Sequence, residues 1–101
     1  MPIIYHITTK IESDRARQTG LYESPALKEE GFIHCCEANQ VDGVLQRYFN
    51  GKKDLVKFVI DTGRLKSQLI YDWSTSIEAT FPHIYGPINI DAVVAVEKIL
   101  D

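Results

Sequence analysis

Val41-Asp42-Gly43-Val44-Leu45-Gln46-Arg47-Tyr48-Phe49-Asn50-Gly51-Lys52-Lys53-Asp54-Leu55-Val56-Lys57-Phe58-Val59-Ile60-Asp61 is the stretch where one hydrophobic period gives way to another. Val41, Val44, Leu45, Tyr48 and Phe49 recur at helical spacing and form one apolar stripe facing a core. The spacing predicts a helix from about Glu37 to Asn50, ended by Asn50-Gly51. Leu55 to Asp61 is strongly apolar and β-branched, which is strand composition. Downstream the helical period does not return. Gln68 to Trp73 reads as a strand after a turn at Thr62-Gly63, Ser74 to Thr80 as a polar loop, and Phe81 to Ile88 as a further strand. Asp91 to Leu100 reads as the last one.

Upstream, helices and strands are mixed. Ile3 to Thr8 alternates as a strand, with Ile3, Tyr5 and Ile7 on one face and Ile4, His6 and Thr8 on the other. Thr9 followed by Glu12 fits a capping box for a short surface helix that Gly20 stops. Ser24-Pro25 offers a hydroxyl cap and a proline at the first helical position, for a helix that Gly31 stops. Phe32 to Cys36 reads as a short buried strand. The order is β-α-α-β-α-β-β-β-β, about six strands with helices clustered in the N-terminal half. That pattern predicts an α+β fold rather than a doubly wound sheet.

The 101 residues make one domain, 1–101, with 45% hydrophobic and 25% charged residues, an ordinary globular balance. Such a chain buries a core without disulfides or a structural metal. A net charge of −3 and scattered basic residues argue against a nucleic-acid surface, and Lys52-Lys53 reads as a solvated turn. No apolar run approaches the roughly 20 residues of a membrane span. Met1-Pro2-Ile3-Ile4-Tyr5 lacks the features of a leader, so the cytoplasm is the expected compartment. The adjacent Cys35 and Cys36 are expected as two reduced thiols, because neighbouring strand residues point to opposite faces. The glycines fit neither a Rossmann nor a P-loop fingerprint.

His6, His34 and His83 each sit in an apolar, strand-like run. Imidazole is costly to bury without partners and changes charge near neutral pH, so the three are the leading candidates for one cleft around a polar ligand. Tyr85 shares a strand face with His83 and adds a ring and a phenol. Cys36 shares one with His34, which leaves a Cys-His nucleophile open. Three imidazoles and a water would also make a catalytic zinc site, yet no close ligand pair is present and no metal ligand is assigned.

At these same segments the chain resembles a small bacterial family of unknown function. Its members share Ile4-Tyr5-His6-Ile7-Thr8, Glu30-Gly31-Phe32-Ile33-His34-Cys35 and Phe81-Pro82-His83-Ile84-Tyr85-Gly86-Pro87-Ile88-Asn89. That family is grouped with the ADP-ribosyltransferase-like superfamily. The resemblance implies a split β-sheet with an NAD-binding cleft between its halves. It implies that His6 holds a ribose and His34 borders the nicotinamide pocket. The third role, often a glutamate's, falls to His83 or Tyr85, since the last motif holds no glutamate. Tyr5, Thr8, Gln40 and Arg47 are the further expected ligand-binding residues, with a pyrophosphate at the start of the long helix. Relatives commonly carry serine where this chain has Cys36, which implies a weaker cap for that helix. The expected partner is a nucleotide-like small molecule, with nucleic acid only as a modified end. A non-catalytic ligand or peptide module and a metal-dependent hydrolase are the alternatives. The deciding geometry is whether His6, His34 and His83 meet.

Overall fold

Ile4, His6 and Thr8 are buried along β1 (Ile3–Thr9), as the strand alternation requires, and Ile7 of the opposite face is buried as well. The computed structural model describes residues 2–99. Met1, Leu100 and Asp101 lie outside the described residues, so the expected end of the last strand is not among them. β1 runs antiparallel to β4 (Leu55–Asp61), which also pairs with β8 (Val93–Lys98) to make a three-stranded sheet in the order β1-β4-β8. A second sheet orders β3 (Ile33–His34), β6 (Ala79–Tyr85) and β5 (Gln68–Ser74) as β3-β6-β5. β2 (Leu21–Tyr22) and β7 (Ile88–Asn89) form a small third sheet. Among the described residues the fold is α+β, with eight strands in three antiparallel sheets rather than about six strands.

The differences from the sequence reading have local causes. β2 and β7 have two residues each, too few to show a period. Ser74 closes β5 while Ala79 and Thr80 open β6, so the polar run is a hairpin turn whose Glu78 adopts φ 57. The strand expected from Phe81 to Ile88 breaks at Gly86, whose φ of 150 suits glycine.

Three α-helices, α1 (Lys10–Thr19), α2 (Pro25–Glu30) and α3 (Val41–Tyr48), precede β4. None is long and apolar enough to cross a membrane. Thr9 caps α1 by accepting the Glu12 N–H at 3.2 Å, and Gly20 ends it at φ 86. The helix expected from Glu37 begins as a tight turn, Ala38–Gln40, and then becomes α3. Its cap is Glu37, not Cys36. The Glu37 carboxylate accepts the Gln40 N–H, while Gln40 Oε1 accepts the Glu37 N–H at 2.9 Å. Cysteine in place of serine at position 36 therefore removes no cap.

Ile4, Ile33, Phe58, Ile60, Ile84 and Ile88 fill the centre with no measurable exposure. Each contributes roughly 1.5–3 kcal/mol by leaving water. Among the described residues one isolated bridge joins the two larger sheets. Cys35 N–H donates to the Pro82 carbonyl at 3.0 Å, but Pro82 has no N–H to return. The β3–β6 ladder stops there, and Cys36 crosses to β1, exchanging both backbone hydrogen bonds with Tyr5 at 2.8 Å. Beyond that bridge the sheets part.

Candidate functional site

The parting leaves a cleft of about 680 Å³. One wall is β1 from Tyr5 to Thr9, and the facing wall includes His34, Cys36, Phe81 and His83. Tyr48, Phe49 and Trp73 give it an aromatic rim, and no lysine or arginine is among the described lining residues. His6, His34, His83, Tyr5 and Thr8 all line this one space. Tyr85, Gln40 and Arg47 do not. Tyr85 stands beside the cleft on the Phe32 and Asp72 side chains. Gln40 is used up in the helix cap and in donating Nε2–H to the Thr80 carbonyl at 2.9 Å. Arg47 lies over the Tyr48 ring and occupies the space that a Cβ on Gly43 would need. It is Val44, Tyr48 and Phe49 of α3 that reach the cleft, because that is the helix's apolar stripe.

At one end lies His6, 7% exposed. Its Nδ1 is 2.5 Å from the His34 carbonyl oxygen, which has no proton, so Nδ1–H is the donor. In the neutral ring Nε2 then carries the lone pair. Tyr22 Oη sits 2.8 Å from Nε2 and 2.9 Å from Thr8 Oγ1, so a relay of hydroxyls runs into the ring. With His6 neutral, the phenol donates to Nε2 and accepts from Thr8; a charged ring would reverse the chain. Burial, opposed by the His34 carbonyl, lowers the His6 pKa from 6.5 to about 4. The neutral arrangement therefore holds at neutral pH. Burial likewise pushes the Tyr22 phenol up to about 12.

Ser24 and Glu12 line the same end. The hydroxyl cap expected of Ser24 is not made; its Oγ is buried without a hydrogen-bond partner. Proline follows it and brings no N–H to the first turn. Glu12 carries a carboxylate to the cleft from the first turn of α1 and pairs with the exposed Arg15 at 3.1 Å.

The other end holds two histidines opposite one another in register across β3 and β6. The His34 and His83 ring centroids are 5.0 Å apart at 73°, and Phe32 stacks on His83 at 4.2 Å and 16°. His34 Nε2 lies 2.7 Å from a Glu30 oxygen, both side chains about half exposed. His83 Nδ1 lies 2.7 Å from Asp72 Oδ2, and the Tyr85 hydroxyl donates to the same oxygen at 2.5 Å. The Tyr85 and His83 hydrogen bonds hold the Asp72 carboxyl below the usual carboxylate range. Asp72 belongs to β5, the preceding strand of the hairpin. Tyr22, Ser24, Glu12 and Asp72 were not expected at the site from the sequence, in which Ser24 and Glu12 read only as helix-cap residues. Asp72 carried one signal, its place in a strand directly before the His83 strand. The two-residue strand of Tyr22 carried none.

Among the described residues no group of three or more His, Cys, Asp or Glu side chains is arranged to hold a metal ion. Two sequence readings change here. Cys35 and Cys36 are free and buried, and burial pushes Cys35 well above the usual thiol range and Cys36 up to about 11. Neither fits an activated nucleophile. The proposed pyrophosphate seat at the start of α3 is occupied by the Glu37 carboxylate, which also accepts from the Tyr71 hydroxyl at 2.8 Å. A second anion there would be repelled.

Residues 7–96 match the family described as Protein of unknown function (DUF952). Protein CC0527 from Caulobacter crescentus has the same fold. Its crystal structure superposes with a TM-score of 0.88 at 29% identity, covering 99% of this chain and 89% of that one. Its solution structure gives 0.83 at 30% identity, covering 100% and 88%. No curated protein matches.

Proposed function

The chain belongs to the DUF952 family, and for it we propose an ADP-ribosyltransferase-like cleft that binds NAD or an ADP-ribosyl group. The observation that carries this reading is that His6, His34 and His83, from three strands on two sheets, line one cleft where those sheets part. A histidine-lined cleft shared by two sheets supports carrying the motif resemblance over to this chain.

The chemistry of the walls supports sugar and ring recognition over phosphate recognition. Thr8, Tyr22 and the unpartnered Ser24 hydroxyl offer donors and acceptors suited to ribose hydroxyls. Phe81 and Trp73 offer flat apolar surface for a nicotinamide or adenine ring. With no cation among the described lining residues, the phosphates lie toward solvent at the mouth. His6, neutral and hydrogen-bonded through both nitrogens, holds the polar wall in place and moves no proton at neutral pH.

Titration calorimetry with NAD and with ADP-ribose tests this directly. Binding of either in the micromolar to millimolar range, at one site per chain, is the expected result. No heat and no thermal stabilisation at millimolar ligand would remove the reading.

A further inference from the structure

We propose that Asp72 is the carboxylate of this site and works as a positioning residue through His83, whose ring takes a proton from water as the ribosyl bond of a bound NAD is hydrolysed; this rests on the nucleotide reading above. The feature that points there is a chain of contacts at the His83 end. Tyr85 and His83 both bond the same Asp72 oxygen, while Phe32 stacks on the imidazole. Together these fix the ring's plane and its tautomer. An ionised Asp72 accepts only, so Nδ1 carries the proton and Nε2 presents a lone pair. Nε2 has no hydrogen-bond partner among the described residues, and His83 lines the cleft. His6 is built the other way, with both nitrogens occupied.

The step balances without a further reactant. The water oxygen bonds to ribose C1′ while the C1′–N bond to the pyridinium breaks. The bonding pair leaves with nicotinamide, which departs neutral. Water gives one proton to His83 Nε2, and the ring later returns it to solvent. The products are ADP-ribose, nicotinamide and a proton. Asp72 stabilises the imidazolium as it forms, the part a buttressing carboxylate plays behind any histidine base. Water is the acceptor this geometry serves. Asp72 bonds Nδ1 of the ring, and Glu12 lines the cleft near Tyr22, the phenol bonded to His6.

The experiment is nicotinamide release from NAD by the full chain, followed by chromatography, with binding measured in parallel. Wild type is expected to release nicotinamide and ADP-ribose in equal amounts. Asp72→Asn is expected to lower kcat about 100-fold, within the usual range for a misplaced base, with KM within about twofold of wild type. His83→Asn is expected to match it, the double variant to be no worse than either, and Asp72→Glu to recover part of the rate. An Asp72→Asn rate equal to wild type would overturn the proposal. So would NAD binding by wild type with no nicotinamide released, which leaves the binding reading intact. Absence of NAD binding removes that reading, and this step with it.

Discussion

His6 and His83 line the same cleft, yet their surroundings make them different chemical groups. His6 is buried, bonded to a carbonyl and a phenol, and its pKa is lowered to about 4. His83 is partly exposed, stacked on Phe32 and bonded to a carboxylate. Burial penalises the imidazolium at the first, and the second has the Asp72 carboxylate beside its Nδ1. One histidine has both ring nitrogens bonded within the wall, while the other bonds through Nδ1 and keeps Nε2 without a partner among the described residues. Residue type is shared; only the partners separate them.

Truncating each ring separates the two histidines most strongly. His6→Ala opens a cavity against Tyr22 and Phe58 and leaves a buried phenol and the His34 carbonyl short of a partner. It is expected to cost about 3–4 kcal/mol in urea unfolding followed by circular dichroism. His83→Ala, at a partly exposed position, is expected to cost about 1 kcal/mol. Equal costs would mean that the two ends are built alike.

Acid titration separates the ends by pH window. The unfolded chain protonates His6 near 6.5, the folded chain only near 4, so the unfolded state binds the extra proton between them. Stability is therefore full above about 6.5 and falls as pH drops toward 4. At 1.36 kcal/mol per pKa unit the loss from this group is about 3 kcal/mol. Asp72 acts in the lower window: its carboxyl is held down from 3.8, so its contribution is lost only as pH falls below that value. Urea midpoints measured between pH 7 and pH 4 should slope for wild type and flatten for His6→Gln. A slope unchanged in that variant would assign it to other groups.

How legible these ends were in the sequence follows from how each is assembled. β1, β4, β5 and α3 carry enough residues to show their periods, and His6, His34 and His83 could be picked out from their apolar strand settings. What the sequence hides is registry. Asp72 reaches His83 through the antiparallel hairpin of β5 and β6, whose turn falls in a polar run with no strong signal. Tyr22 reaches His6 from a two-residue strand that exists only because β7 pairs with it. Gln40 and Arg47 show the converse. Both fall within the helix expected from Glu37 to Asn50, but Gln40 ends the tight turn before α3, and the apolar stripe carries Val44, Tyr48 and Phe49 to the cleft instead.

Ser24 gives the smallest effect on stability and a clean separation of folding from binding. A serine before a helix ordinarily accepts a first-turn N–H, and replacing such a cap with alanine costs about 1 kcal/mol. Here no cap bond is made, and the hydroxyl is buried without a partner, a state that already carries a desolvation cost. Ser24→Ala removes the unpaired group and no hydrogen bond. Its unfolding free energy is expected within about 0.5 kcal/mol of wild type, or slightly higher. If the hydroxyl meets a ribose oxygen, the same variant should weaken NAD or ADP-ribose about 5- to 10-fold, the worth of one hydrogen bond. A destabilised Ser24→Ala with unchanged affinity would return this residue to helix capping and take it out of the ligand wall. The loss would then be confined to the His6 end, leaving the Asp72–His83 pair to be judged on its own.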